Sequence, residues 1–359
     1  MPRHLALLTC AAVCAAILAC LPLVVAPLRA GAAACPDLAS AADAAAELPQ
    51  LKSLLVSWRG GVILEHHARG VRPNAPANVK SVSKSVISAL VGIAIERRLI
   101  KSVQEPASAY LPALRRDPDP RKRAITIEDL LTMRSGLEST SGEHYGQWVR
   151  SRNWVRHVLT RPMVSEPGTT MEYSTGTSHL LSAILTRVSG TSTWAFAGRA
   201  LARPLGFQLA RWTRDPQGVY LGGNEMLMTP AQMRAFGELY LNDGRVGSRQ
   251  VVPAAWVAAS CVPRTVSRWD PGREYGYGWW IDDVGGRTAC FAWGFGGQYV
   301  FVFRDVQLVV VATSSTAVSD DRWDYRDRLL SLVAREVVAR LQGAGSQCGE
   351  QTGSEGASR

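Results

Sequence analysis

The stretch SVSKSVISALVGIAIERR, residues 81–98, decides the fold of this chain. Its apolar residues recur at helical spacing and cover more than one side: Val82, Val86, Ile87, Leu90, Val91, Ala94 and Ile95. A helix that is apolar on most of its faces must be buried on most of them. The sequence therefore predicts a central buried helix over 81–98, with the polar residues Ser81, Ser83 and Lys84 at its start.

The residues before this helix predict a short helix over 41–51 and then a β-hairpin. The runs LLVSW (54–58) and VILEH (62–66) are rich in β-formers, and Arg-Gly-Gly separates them. Two such runs around a glycine pair are typical of two antiparallel strands joined by a tight turn.

The residues after this helix change from a helical to a strand pattern. Residues 103–204 are mostly helical in pattern, and Thr229-Pro230 begins a helix that ends near residue 241. Strands follow at 277–281, 288–292, 299–303 and 308–312, and the last helix covers 323–341. This order predicts an α/β (α+β) fold. One antiparallel sheet forms from both chain ends, helices flank it, and a mostly helical lobe (103–204) is inserted.

The two ends of the chain differ in composition from the folded part, which we place at 35–342. Residues 1–34 have a short basic start, an apolar stretch and a run of small residues, so they predict a signal peptide, with an uncleaved membrane anchor as the alternative. We expect an exported protein, periplasmic or secreted. Residues 343–359 are polar and rich in Gly and Ser, which predicts a disordered tail.

Four cysteines lie beyond the export segment, at positions 35, 261, 290 and 348. In an oxidising compartment an even number of cysteines favours disulfides, and four allow three pairings. We favour Cys35–Cys348 with Cys261–Cys290, because chain ends often lie close together. None has His or Cys neighbours at zinc-ligand spacing, so we expect no metal and no cofactor.

The formal net charge of +10 is spread along the chain, and 35 of the 40 basic residues are arginine. The one basic run, residues 115–123, contains two prolines and two aspartates, which is typical of a solvated loop. No zinc-finger or RNA-binding aromatic motif accompanies it. These features argue against a nucleic-acid partner.

The start of the central helix carries the candidate chemistry. Residues three apart lie on the same face of a helix, so Lys84 can reach the Ser81 hydroxyl. A serine becomes a good nucleophile when a neighbouring base takes its proton, and a lysine shielded from water can be that base. Ser81 and Lys84 are therefore the predicted nucleophile and base. No Gly-x-Ser-x-Gly motif or His spacing suggests a Ser-His-Asp triad.

Several motifs in order resemble the serine β-lactamase and penicillin-binding-protein superfamily, in particular its esterase-like and 6-aminohexanoate-dimer-hydrolase-like members. SVSKS (81–85) resembles the first box of that family, and LLTMRSGL (130–137) is similar to a phrase common in it. PGT (167–169) with YSTG (173–176) resembles the second box, and GFGGQ (294–298) the region of the third. The resemblance runs from about residue 54 to 341.

The resemblance implies roles for further residues. Tyr173 would move protons between the nucleophile, the lysine and the leaving group, and we expect the lysine ammonium to favour its phenolate form. The backbone N–H groups of Ser81 and Phe295 would form the oxyanion hole. Thr175 stands where the second box has asparagine, and Ala292-Trp293-Gly294 lacks the Lys or His of the third box. These departures argue against efficient β-lactamase action.

The sequence thus predicts a serine hydrolase acting on a small-molecule ester or amide. The alternatives are a D,D-peptidase or weak β-lactamase acting on cell-wall peptide or β-lactams, and a non-catalytic binding protein on the same scaffold.

Tyr145 and Trp148 either form a lid over the cleft or pack in the lobe, and we favour packing. Trp279-Trp280 is interpreted as strand core rather than a substrate wall.

Overall fold

The computed structural model describes residues 36–317 and 319–341. The predicted export segment 1–34, the predicted tail 343–359 and the predicted Cys35–Cys348 disulfide lie outside the described residues. Within the described ranges, no helix has both the length and the apolar character needed to cross a membrane.

Twelve strands lie in the described residues. They are β1 (Leu51–Trp58), β2 (Gly61–His67), β3 (Ala77–Asn78), β4 (Leu227–Met228), β5 (Arg245–Val246), β6 (Arg249–Gln250), β7 (Thr265–Val266), β8 (Glu274–Tyr275), β9 (Trp280–Asp283), β10 (Thr288–Gly294), β11 (Gln298–Phe303) and β12 (Leu308–Ser314). Eight of them form the main sheet in the order β2-β1-β12-β11-β10-β9-β8-β7. β3 pairs with β4 and β5 pairs with β6.

The helices flank this sheet and form the inserted lobe. They are α1 (Ala39–Ala46), α2 (Val82–Glu96), α3 (Pro112–Arg115), α4 (Pro120–Ala124), α5 (Ile127–Leu131), α6 (Tyr145–Val149), α7 (Trp154–Leu159), α8 (Thr175–Ser189), α9 (Thr193–Ala197), α10 (Pro230–Leu241), α11 (Ala254–Ser260), α12 (Arg322–Ser331) and α13 (Ala339–Leu341). Short 3-10 turns cover Ala107–Ala109 and Gly142–His144, and π-helical segments cover Gly198–Ala202 and Leu332–Val338.

The sheet joins the two ends of the chain, as predicted. β1 pairs antiparallel with β12 from Leu51↔Ser314 to Trp58↔Leu308, and it pairs with β2 on its other side. The late strands form an antiparallel meander beside it, in which β12 pairs with β11, β11 with β10 and β10 with β9. The predicted antiparallel sheet built from both ends and flanked by helices is confirmed.

Alternate residues of the central strands face two separate cores. On β12, Val309 and Val311 belong to the core that holds α2, α8 and α10. Leu308 and Val310 belong to the core covered by α1, α12 and the π-helical segment that follows it. Because successive side chains of a strand point to opposite faces, one apolar strand can serve both cores.

Helix α2 is buried between the sheet and the lobe, as its apolar faces predict. Every residue from Val82 to Ala94 is buried. Gly92 allows close packing of α11, because a Cβ at this position would lie 2.3 Å from the Trp256 ring. This burial fixes the start of α2, and therefore Ser81 and Lys84, relative to the sheet.

Several predicted elements have different bounds in the structure, and two of these differences have a clear physical cause. The helix predicted over 41–51 ends at Ala46, since Pro49 disfavours helical backbone before it, and β1 already begins at Leu51. The strand predicted over 277–281 begins only at Trp280. Gly278 forms a turn there with φ +75°, and its carbonyl accepts a hydrogen bond from Ser85 Oγ at 2.6 Å. That turn brings the chain against α2.

The predicted Cys261–Cys290 disulfide is formed, with the two Cα atoms 5.7 Å apart. Cys261 follows α11 and Cys290 lies on β10. The bond therefore ties a helix that packs on α2 to the strand that leads towards Phe295.

Candidate active site

Ser81 lies at the start of α2, in a short turn held by its neighbours. Lys80 has left-handed backbone (φ 49°), and its N–H donates to Asn78 Oδ1 at 3.0 Å. Its carbonyl accepts a hydrogen bond from Ser83 Oγ at 2.6 Å. These contacts fix the chain direction just before Ser81, so that its side chain opens into a cavity rather than into the core.

Lys84 lies one helical turn further on and is 3% exposed. Its Nζ is 3.0 Å from Ser81 Oγ, 2.7 Å from the Gly223 carbonyl oxygen and 3.4 Å from Thr175 Oγ1. No carboxylate compensates its charge in these contacts. Burial therefore lowers the pKa of Lys84 from its ordinary value of 10.5 to about 7.

A neutral Lys84 fits this environment as a base. The neutral amine has two N–H donors and one lone pair. Gly223 and Thr175 supply two acceptors, so the lone pair is left for the Ser81 hydroxyl. The arrangement can take the serine proton near neutral pH.

Tyr173 lies two residues before α8 and is held by the motif LLTMRSGL and the residues just after it. The Tyr173 carbonyl accepts a hydrogen bond from Ser139 Oγ at 2.7 Å. The N–H of Glu172 donates to the Met133 carbonyl at 2.7 Å. The structure brings the Tyr173 ring to Lys84, whose Nζ is 4.8 Å from the ring centroid. Ser81, Lys84 and Tyr173 therefore meet, although they are distant in sequence.

The protonation of Tyr173 differs from the sequence expectation. Burial raises the pKa of Tyr173 to about 12, and its hydrogen bond with Ser81 acts in the opposite direction. Burial therefore opposes the phenolate form expected from the sequence, because it disfavours a charged ring. At neutral pH the site holds a phenol that can donate a proton.

The end of β10 approaches the nucleophile closely at Gly294. A Cβ at this position would lie 2.2 Å from the Val79 carbonyl oxygen, so only glycine fits. Gly294 contacts the backbone before Ser81 and does not line the cavity, whereas Phe295 and Trp293 do. In the described part of the chain, the N–H groups of Ser81 and Phe295 have no hydrogen-bond acceptor. Both are free to bind an oxyanion.

Thr175 and Tyr145 occupy the lobe side of the cavity. Thr175 is buried, its N–H donates to Ser141 Oγ at 2.8 Å, and its hydroxyl oxygen is 3.0 Å from the same atom. The Tyr145 hydroxyl accepts a hydrogen bond from Asn224 Nδ2 at 3.1 Å, while its ring packs on the buried Trp148. Trp148 packs in the lobe, as favoured, and Tyr145 adds part of the cavity wall.

The cavity at Ser81 has a volume of about 1050 Å³. Its other lining residues were not singled out from the sequence as site residues: Lys80, Ser141, Gly142, Asn224, Glu225, Ser267, Trp269, Asp270, Arg273, Trp280, Trp323 and Arg326. The sequence predicts strand core for Trp279 and Trp280. Both are buried in the core, although Trp279 lies just before β9. Trp280, on β9, also lines the cavity and stacks on Tyr173 with ring centroids 5.6 Å apart.

One sequence signal could have located the loop that carries Asn224 and Glu225. Two adjacent glycines, Gly222 and Gly223, precede them. A Cβ on Gly222 would lie 2.3 Å from the Ser178 carbonyl, and one on Gly223 would lie 3.0 Å from the Thr175 carbonyl. The glycine pair marks a close backbone approach to α8, which brings the Gly223 carbonyl to Lys84.

Charged groups in the cavity are paired with each other rather than arranged around a metal. Lys80 Nζ lies 2.8 Å from a carboxylate oxygen of Glu225, whose other oxygen accepts a hydrogen bond from Asn78. In residues 36–317 and 319–341, no cluster of three or more His, Cys, Asp or Glu side chains could hold a metal ion.

The described geometry agrees with a known family. The family model described as beta-lactamase matches residues 45–335. The chain belongs to the beta-lactamase family. The predicted relationship to serine β-lactamases and penicillin-binding proteins is thereby confirmed, and this membership supports a hydrolase activity. No curated protein sequence matches this beta-lactamase-family chain.

Solved structures of the same fold resemble this beta-lactamase-family protein at low sequence identity. A Bacillus anthracis protein provisionally assigned as a 6-aminohexanoate-dimer hydrolase has a TM-score of 0.66 at 19% identity, covering 79% of this chain and 78% of that one. The hydrolase EstCE1, with promiscuous acyltransferase activity, has a TM-score of 0.67 at 18% identity. The match covers 82% of this chain and 97% of EstCE1. A penicillin-binding protein homolog from Caulobacter crescentus has a TM-score of 0.66 at 16% identity. The match covers 85% of this chain and 98% of that homolog.

Proposed function

We propose that the protein is a serine hydrolase that cleaves an ester or small amide through an acyl-enzyme on Ser81. The observation that carries the proposal is the contact between Lys84 Nζ and Ser81 Oγ at 3.0 Å, in a site where burial lowers the lysine pKa to about 7. A buried lysine without a carboxylate partner costs stability, and a role as base explains its presence.

The proposed reaction begins with proton transfer from the Ser81 hydroxyl to the neutral amine of Lys84, as Ser81 Oγ bonds to the substrate carbonyl carbon. The N–H groups of Ser81 and Phe295 stabilise the resulting oxyanion. Tyr173 donates its proton to the leaving oxygen or nitrogen as that bond breaks, and it recovers a proton from the Lys84 ammonium. Water then attacks the acyl carbon while Lys84 accepts its proton. The Lys84 ammonium passes that proton to Ser81 Oγ as the bond between the acyl carbon and Oγ breaks, which releases the acid and restores the free enzyme.

The absence of a third-box cation supports an ester or small amide over a β-lactam. Ala292 and Trp293 occupy the positions of the third box on β10. This strand therefore offers no Lys or His side chain that could bind the carboxylate of a penicillin. Among the solved structures of this fold, EstCE1 is a hydrolase and another is a D-stereospecific amidohydrolase from Streptomyces sp.. These names agree with ester or amide substrates on this fold.

Labelling with a fluorophosphonate tests the nucleophile. We expect one adduct, located by peptide mass spectrometry on Ser81, and no adduct on Ser81→Ala. Ser248→Ala, which removes an exposed hydroxyl far from the cavity, should label like the unchanged protein. Labelling that persists in Ser81→Ala would contradict the proposal, and absence of any label would favour a non-catalytic binding protein.

A panel of esters, amides and a fluorescent penicillin in the same assay separates the substrate classes. Turnover of esters or amides with little reaction on the penicillin is the expected outcome. Stable penicillin labelling of Ser81 would instead favour a D,D-peptidase, and rapid penicillin turnover a β-lactamase.

We also propose that the protein works outside the cytoplasm. The Cys261–Cys290 disulfide supports this location, because such bonds persist in oxidising compartments. Cell fractionation of the full-length chain should recover it in the exported or membrane fraction, and recovery in the cytoplasm with both thiols free would contradict the proposal.

A further inference from the structure

Three large apolar side chains are exposed together at the mouth of the cavity. Trp269 is 69% exposed, Trp323 52% and Phe295 44%, and all three line the cavity at Ser81. They come from three separate elements: the loop between β7 and β8, helix α12, and the turn between β10 and β11. Exposed aromatic residues that converge on one opening mark a binding site rather than ordinary surface.

Below this rim, aromatic rings line a path to the catalytic groups. Trp293 lies 5.7 Å from Trp280 between ring centroids, and Trp280 stacks on Tyr173 at 5.6 Å. On its other side Trp293 stacks on the buried Tyr299. Trp293, Trp280 and Tyr173 all line the same cavity as the rim residues, so the cavity presents ring surfaces to an apolar group both at its mouth and beside the catalytic groups.

The basic side chains of the cavity already have acidic partners. Lys80 pairs with Glu225 at 2.8 Å, Arg273 with Asp282 at 3.0 Å, and Arg326 with its neighbour Asp327 at 2.7 Å. An anionic substrate would have to compete with one of these carboxylates. A neutral substrate leaves each pair intact, so the charges of the lining favour a neutral group.

The loop that carries Trp269 is held in place. The N–H groups of Trp269 and Asp270 donate to Ser267 Oγ at 3.3 and 3.2 Å. Arg268 forms an ion pair with Glu172, the residue before Tyr173. This pair links the loop to the segment that positions the tyrosine. The rim is therefore formed before a substrate binds, which lowers the entropy lost on binding.

We propose that the protein selects neutral esters or amides that carry a long apolar acyl chain, and that Trp269, Phe295 and Trp323 bind this chain at the mouth of the cavity. The inference rests on the proposed hydrolase function and names its substrate class. Each added methylene that is buried against these rings strengthens binding in the transition state.

The test compares three soluble 4-nitrophenyl esters below their micelle-forming concentrations: the acetate, the octanoate, and the anionic half-ester of octanedioic acid. We expect kcat/KM to be highest for the octanoate, by about ten-fold or more over the acetate. Trp269→Ala and Trp323→Ala should each lower the octanoate value by roughly ten-fold and lower the acetate value much less.

Val266→Ala is the matched control, because Val266 is exposed on β7 beside the same loop and does not line the cavity. It should leave all three esters unchanged. A flat chain-length profile, a preference for the anionic half-ester, or equal losses on acetate and octanoate would overturn the inference. Fluorophosphonate labelling of Ser81 with a flat profile would refute this substrate class alone, whereas absence of both labelling and ester turnover would refute the hydrolase function.

Discussion

Replacing Lys84 by methionine is expected to lower kcat/KM for 4-nitrophenyl butyrate by about 10²- to 10⁴-fold, the usual contribution of a positioned general base. Methionine has a similar length and no lone pair of comparable basicity, so the Ser81 proton has no acceptor 3.0 Å away. Initial rates with the wild type and the variant measure the effect. Lys101→Met, on the exposed surface, is the matched control and should be unchanged.

The pH dependence of the wild type gives an independent measure of the same group. Because burial lowers the pKa of Lys84 to about 7, the amine is protonated below that pH and cannot act as a base. We expect kcat/KM to rise with pH, to reach a plateau above about pH 8, and to fall about ten-fold for each unit below pH 6. A profile with no inflection between pH 6 and 8 would contradict Lys84 as the base.

The stability of Lys84→Met distinguishes loss of chemistry from loss of fold. Lys84 has a pKa of about 7 in the folded protein and an ordinary value of 10.5. Between these values the unfolded chain binds a proton that the folded chain releases, so wild-type stability rises with pH across this window. Methionine removes that pH dependence. The variant should unfold at the same or a higher temperature than the wild type at pH 7.5, and a markedly lower temperature would mean that the activity loss reflects unfolding.

The parts of the fold that were predictable are those fixed by local periodicity. Residues 81–98 are apolar around the helix, and α2 is buried as that pattern requires. The strand pattern in 299–303 and 308–312 likewise matches β11 and β12. The start of β9 was not predictable, because the glycine turn before it depends on contact with α2, which is distant in sequence.

The candidate site residues that belong to a recognisable sequence motif could be predicted. Ser81 and Lys84 lie one helical turn apart, and the resemblance added Tyr173 and Phe295. The aromatic rim was not predictable, because Trp269 and Trp323 lie in unrelated elements that only the folded sheet brings to one opening. The raised pKa of Tyr173 also depended on the structure, since it follows from burial of the ring, which the motif alone does not show.

The second prediction concerns Tyr173, which the proposed reaction uses as an acid. Burial raises the pKa of Tyr173 to about 12, so its phenol is protonated at neutral pH. Such a phenol is a weak acid in free solution, but it can protonate an alkoxide as the alkoxide leaves. An ethyl ester needs this proton because ethoxide is strongly basic, whereas 4-nitrophenolate leaves without it.

Tyr173→Phe is therefore expected to lower kcat/KM for ethyl butyrate by about 10²- to 10⁴-fold and to lower it far less for 4-nitrophenyl butyrate. A pH-stat follows acid release from the ethyl ester, and absorbance follows nitrophenolate. The variant should keep the inflection near pH 7, because Lys84 is unchanged. Tyr220→Phe, which alters a buried phenol that does not line the cavity, is the control. Equal losses on both esters, or loss of the inflection near pH 7, would assign the proton acceptor to Tyr173 rather than to Lys84.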